Sequence, residues 1–236
     1  MIPLVSLAAV IFDFDGVVLD SETPEYESHR RIFERCGAPL PPGEWCDQVG
    51  LWVEGHERRW HARLRQLSPR APGWAAYEAE KRRLFEELVP PEPMRGIRGL
   101  LDLLAAAGVP TAIASTAPAR WVIAAADRIG LGGRFNVIVT ADDVKRGKPA
   151  PDVYLEALRR LGADPARSVA IEDSAPGIRS ARAAGLRTIA IPHWLTEGHD
   201  LAGADLRVPH AGELTLEILE KLVSGSTSSP ASSITP

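Results

Sequence analysis

What most constrains the fold is a repeated alternation of two short patterns. Five runs, at 8–13, 110–115, 136–140, 168–172 and 187–191, are continuously apolar rather than alternating, as strands buried on both faces are. Between the later runs lie helical stretches at 97–107, 118–129, 151–161 and 175–184, closing on Gly108, Gly130, Gly162 and Gly185. Glycine just past a helix is the left-handed C-cap signal, and Pro118 and Pro151 stand where a first helical turn tolerates proline. Strand alternating with helix requires right-handed crossovers, so the expected architecture is a parallel sheet with helices on both faces.

From Ser21 to Pro90 that rhythm stops. No strand pattern occurs there; Tyr26, His29, Phe33 and Cys36 fall at helical spacing, as do Trp74, Tyr77, Leu84, Phe85 and Leu88. Trp45, Trp52, Trp60 and Trp74, four of the six tryptophans, are expected to form the core of a small helical bundle. The segment closes on the proline-rich 89–96, VPPEPMRG, a stiff hinge. A chain of 236 residues is about one and a half domains at roughly 150 residues each, which a helical insertion after the first strand explains. The expected division is a core of 1–20 and 91–223, a helical cap of 21–90, and a disordered Ser/Thr/Pro-rich tail of 224–236.

Composition narrows the function. Lys and Arg number 27 against 31 Asp and Glu, a net charge of -4, which argues against a nucleic-acid partner. Cys36 and Cys46 alone make neither a disulfide framework nor a CxxC metal pair. No apolar run approaches the ~20 residues of a membrane helix, and the N-terminus lacks the basic segment of a signal peptide. The expectation is a cytoplasmic protein without a membrane partner, a monomer or weak homo-oligomer.

In parallel sheets ligands gather beyond the carboxyl ends of the strands. Those ends carry Asp13 and Asp15, then Ser115 and Thr116, then Asp142 and Asp143 with Lys148 downstream, then Glu172 and Asp173. Asp13 and Asp15 point the same way along an extended chain, and Gly16 permits a sharp departure. Two carboxylates about 4 Å apart repel by roughly 4 kcal/mol at an effective dielectric of 20, which a cation relieves. Oxygen donors without histidine or thiolate favour a hard ion, Mg²⁺ beside phosphate. Asp142 and Asp143 read as loop-capping acids, and Lys145 as solvated. His56 and His61, in HERRWH, do not form the HExxH zinc pattern.

DFDGVVLDSE at 13–22, Ser115, KPAPD at 148–152 and EDSAPG at 172–177 resemble, in order, the four motifs of the haloacid dehalogenase superfamily. The likeness spans about residues 8–220 and points to the branch of small phosphatases and β-phosphoglucomutases. It implies an α/β protein, a Rossmann-like parallel-sheet core with an inserted α-helical cap, acting as a Mg²⁺-dependent phosphatase on a small phosphorylated metabolite such as a sugar phosphate. By the resemblance, Asp13 is the nucleophile that forms an aspartyl-phosphate; Asp15 protonates the leaving oxygen and then activates water. Ser115 binds the phosphoryl oxygens, Lys148 neutralises the anions, and Thr116 and Glu25 join the substrate-binding candidates. Asp13, the Asp15 backbone carbonyl and Asp173 hold the metal, with Glu172 a direct or water-mediated ligand.

Departures from relatives discriminate further. True haloacid dehalogenases lack an acid at the position of Asp15, which favours phosphoryl transfer. Phosphonoacetaldehyde hydrolases use a cap lysine, and the one available, Lys81, is expected far along the cap. Glu25 stands where β-phosphoglucomutases carry a histidine, and none of Arg58, Arg59, Arg63 and Arg65 stands out as a holder of a second phosphate. Hydrolysis is therefore preferred to a phosphohexose mutase, and to a non-catalytic phosphoester-binding protein.

Overall fold

The computed structural model describes residues 7–46, 49–50 and 56–225, without the side chains of 56 and 57. Six parallel strands form one sheet in the order β3-β2-β1-β4-β5-β6. They are β1 (Ala9–Phe12), β2 (Thr111–Ala114), β3 (Val137–Val139), β4 (Ser168–Glu172), β5 (Arg187–Ala190) and β6 (Leu206–Arg207). β1 and β4 are buried throughout, as their unbroken apolar runs demand. Each fully buried Ile or Phe contributes about 1.5–3 kcal/mol, so the centre of the sheet is its most strongly held part.

Helices α5 (Ile97–Ala106), α6 (Ala119–Arg128), α7 (Asp152–Leu161) and α8 (Ala175–Ala183) follow the expected stretches, and α9 (Leu216–Ser224) closes the described chain. The glycines after α5 to α8 all have positive φ. Two expectations need correction. Pro118 and Pro151 are N-cap residues, with α6 and α7 starting one position later. Ser224 belongs to α9, which stops at left-handed Gly225; the rest of the expected tail, from 226, lies outside the described residues.

Between β1 and α5 the described residues form the helices α1 (Glu22–Arg35), α2 (Pro42–Cys46), α3 (His56–Leu67) and α4 (Trp74–Leu88). Tyr26, Phe33, Trp45, Trp60, Leu64, Tyr77 and Leu84 form an apolar centre here, distinct from the clusters on the sheet. Trp45 stacks on Trp60; Trp52 lies outside the described residues. His29 and His61 pack inside, against Tyr77, and Cys36 and Cys46 are not joined in a disulfide. One core residue joins this centre, Leu195, from the loop after β5. Among the described residues no helix is long and apolar enough to cross a membrane.

Strand register sets the position of the site. Phe12 pairs with Ile113 on one side and Ile171 on the other, so Asp13, Ala114 and Glu172 leave the sheet at one level. β1 then enters a tight turn in which the Gly16 N–H donates to the Leu19 carbonyl, with Gly16 at φ +79°. Phe14, Val17, Val18 and Leu19 are buried there, anchoring the exit toward α1.

Candidate active site

Asp13 is the first residue beyond β1. Its Oδ1 accepts from the Phe14 N–H at 2.7 Å and faces the Lys148 ammonium at 2.7 Å. Lys148 arrives on the loop between β3 and α7, which is held by a capping box between Thr140 and Asp143 and by the Arg160–Asp143 ion pair. Its Nζ also lies 2.7 Å from Glu172 Oε1 and 5.3 Å from the centre of the Tyr154 ring. Burial opposes a charged lysine here, but the Asp13 and Glu172 carboxylates outweigh it and raise its pKa, so it remains an ammonium.

Glu172 ends β4 fully buried. Tyr154 Oη donates to its Oε1 at 2.5 Å, and Ser174 Oγ lies 3.5 Å from its Oε2. Gly177, in the first turn of α8, rests directly on this carboxylate: a Cβ there would come within 1.9 Å of Oε2. The positive end of the helix therefore faces the acid. Burial and the Asp13 charge still push Glu172 up to about 7.

Next in the chain, Asp173 is pushed well above the usual carboxylate range by burial and by Asp13, Glu172 and Glu22. Its Oδ2 is buried without a hydrogen-bond partner among the described residues. That oxygen lies so close to Gly16 that a Cβ there would fall 2.5 Å from it. Asp13, Glu172 and Asp173 each offer an oxygen within 4.8 Å of the others. An orphaned buried oxygen among crowded acids is the arrangement a hard cation fits, so these residues could hold a metal.

Asp15 stands beside this cluster. Ser21 Oγ donates to its Oδ1 at 2.5 Å, the Trp121 indole N–H donates to the same oxygen at 2.9 Å, and Ser115 Oγ lies 3.4 Å from Oδ2. Ser21 is the N-cap residue of α1 but makes no side-chain cap bond; its hydroxyl serves Asp15 instead. Burial raises the Asp15 pKa against the two donors that lower it, with Asp13 adding to the rise. Buried Ser115 follows β2 and accepts from the Ala117 N–H at 3.0 Å, while Thr116 is half-exposed.

Asp13, Asp15, Ser115, Lys148, Glu172 and Asp173 are thus brought to one rim. Asp142 instead accepts from the Ala119 N–H at the start of α6, and Lys145 is exposed. Arg63 pairs with Glu44, and Arg58 and Arg59 lie over Trp74 and Trp60. Glu25 pairs with Lys81 Nζ at 2.8 Å and lies 3.4 Å from His29 Nε2. Lys81 is therefore not remote, as its sequence position suggests; α4 packs back along α1 and returns it. Lys81, Phe85 and Arg120 line a recess of about 460 Å³ between α4 and the start of α6. Three residues of the site escape a sequence reading: Trp121, Tyr154 and Glu22. Burial and the charges of Asp15, Glu25 and Asp13 push Glu22 well above its ordinary pKa. Only Glu22 carried a signal, as the last residue of the 13–22 motif.

A parallel sheet whose strand ends present two aspartates, a serine, a lysine and an acid pair defines a class. The family described as haloacid dehalogenase-like hydrolase matches residues 7–185, and the chain belongs to it. Among similar proteins, the phosphorylated carbohydrates phosphatase of Thermotoga maritima is 31% identical over 224 residues, covering 92% of this chain and 100% of that one. Protein CbbY of Rhodobacter capsulatus is 35% identical, covering 92% and 99%. The crystal structure of CbbY from Rhodobacter sphaeroides in complex with phosphate superposes with a TM-score of 0.69 at 31% identity, covering 88% and 96%. The chain falls in the branch of small phosphatases and β-phosphoglucomutase-like proteins, and its enzyme class is phosphoric monoester hydrolase.

Proposed function

We propose that the chain hydrolyses a small phosphomonoester, a sugar phosphate by class, with Mg²⁺ and through an aspartyl-phosphate on Asp13. The observation that carries this reading is the Lys148 ammonium 2.7 Å from Asp13 Oδ1, which leaves Oδ2 for attack and lets a second anion approach. The phosphorylated carbohydrates phosphatase of Thermotoga maritima supports the substrate class.

In the first step Asp13 Oδ2 bonds to phosphorus as the ester P–O bond breaks, and Asp15 gives its proton to the departing oxygen. In the second, water attacks phosphorus, Asp15 takes its proton, and the acyl phosphate P–O bond breaks. Inorganic phosphate and the Asp13 carboxylate are the products. Splitting one displacement into two lowers each barrier, and the burial that raises the Asp15 pKa favours the protonated form the first step needs. Ser115 donates to a phosphoryl oxygen. Asp13, the Asp15 backbone carbonyl and Asp173 would hold Mg²⁺, with Glu172, whose Oε1 is engaged by Lys148 and Tyr154, a direct or water-mediated ligand beside them. When bound, the ion supplies positive charge to the phosphoryl oxygens and the crowded acids.

We read 1–20 and 91–223 as the catalytic unit and 21–90 as the cap that shields the site and selects the organic group. Hydrolysis, rather than isomerisation, accords with Glu25 already bound to Lys81. The test is a phosphomonoester panel with Mg²⁺. Asp13→Asn is expected to stay folded and lose more than about 10³-fold in turnover; full activity in that variant overturns the reading.

A further inference from the structure

The proposed acid, Asp15, is held by a side chain that no catalytic motif contains. Trp121 is the third residue of α6, whose first turn is pinned where the Ala119 N–H meets Asp142 Oδ2 at 3.0 Å. Its indole N–H, a donor and never an acceptor, meets Asp15 Oδ1 at 2.9 Å. Ser21 Oγ meets the same oxygen at 2.5 Å, so Oδ1 is doubly engaged. Oδ2 is different: its neighbour is Ser115 Oγ at 3.4 Å, long for an O–H···O bond. One oxygen of the carboxyl group is anchored, and the other is left facing the serine proposed to bind phosphoryl oxygen.

The anchor reaches the insertion. The Phe85 ring of α4 meets the Trp121 ring edge-on, with centroids 5.1 Å apart and planes 64° apart. Lys81 Nζ lies 5.7 Å from the centre of the Phe85 ring, and both side chains line the recess with Arg120. A chain of contacts therefore runs from α4 through Phe85 and Trp121 to Asp15. Hydrogen bonds alone would hold Asp15 wherever α4 stood; the aromatic pair ties the orientation of the indole to the position of that helix.

We propose that Trp121 is a positioning residue: its indole N–H fixes Asp15 so that Oδ2 faces the ester oxygen, and Phe85 makes that alignment depend on α4. The proposal rests on the phosphatase reading above. A misplaced acid slows only the steps that need proton transfer, whereas a loosened fold or a weakened phosphate site slows every substrate alike.

The experiment measures kcat/KM for Trp121→Phe, which keeps an aromatic ring and removes the N–H. The two probes are 4-nitrophenyl phosphate, whose phenolate leaves with little help, and the sugar phosphate turned over fastest in the panel, whose alkoxide needs a proton. The expected loss is about 10- to 100-fold on the sugar phosphate and less than about 3-fold on the aryl ester. Phe85→Leu, which keeps the indole, is expected to show the same imbalance at smaller amplitude, and it decides the matter if Trp121→Phe melts early. Equal losses on both esters, or no loss on either, overturn the proposal while leaving the phosphatase reading intact. A wild-type protein that hydrolyses neither ester overturns both.

Discussion

Two carboxylates, one buried at the strand ends and one half-buried on the insertion, respond in opposite directions. Asp173 is pushed far up by burial and by neighbouring acids. Burial also raises Glu25, but the Lys81 ammonium and His29 outweigh it and hold it at about 2. Burial is common to both; the sign of the nearest charge decides the outcome. At the rim Lys148 stands between Asp13 and Glu172, while Asp173 keeps a buried oxygen without a hydrogen-bond partner among the described residues. Glu25 is already satisfied by its own fold. The oxygen left without a partner at Asp173 is the one prepared for an ion, while the Glu25 carboxylate, paired with Lys81, holds α1 to α4.

That contrast is broken most severely at Lys148. Lys148→Met leaves Asp13 and Glu172 facing each other without their shared cation, and losing one partner of a buried ion pair costs about 3–5 kcal/mol. Urea denaturation should show a loss of that size, together with a fall in turnover of at least about 100-fold. The same change at partly exposed Lys81 should cost far less stability. A Lys148→Met protein as stable as the parent would mean that the Lys148 ammonium does not hold Asp13 and Glu172 together.

Metal removal is the next largest test. Mg²⁺ that binds only the folded chain stabilises it by about 2.7 kcal/mol at one hundred times its dissociation constant. Thermal unfolding after chelation should therefore shift upward as Mg²⁺ is restored, and Asp173→Asn should abolish the shift. An unchanged shift in that variant would move the metal away from Asp173.

The same contrast explains what was legible in the sequence. Strands buried on both faces announce themselves as apolar runs, so five of the six were readable, to within a residue or so at their ends. β6 has two residues, one of them exposed, and leaves no apolar run to find. Asp13, Ser115 and the Glu172–Asp173 pair were legible because they stand at the ends of their strands, and Lys148, on the loop after β3, because it opens the KPAPD motif. Trp121 was not, because its meaning lies in a contact with Asp15, 106 positions away, and a tryptophan on an amphipathic helix reads as packing. Tyr154 was hidden in the same way, on the apolar face of α7 against Glu172. Lys81 was misplaced because distance along the insertion is not distance in space once α4 packs on α1.

The smallest expected effect concerns Glu25. Its folded pKa of about 2 lies below the ordinary 4.5, so at neutral pH the folded state holds this carboxylate more tightly in its ionised form than the unfolded chain does. The resulting stability is present above about pH 4.5 and is lost as the pH falls toward 2. With a side chain 22% exposed, solvent screening reduces the contribution to about 1 kcal/mol. Glu25→Gln should therefore be less stable than the parent at pH 6 by about that amount, and the gap should close as both proteins are titrated from pH 5 to pH 2. Equilibrium urea unfolding across that range measures it. A gap that stayed constant with pH would assign Glu25 a packing role in place of an ionic one, and the opposition between a satisfied acid on the insertion and an unsatisfied one on the rim would lose its first term.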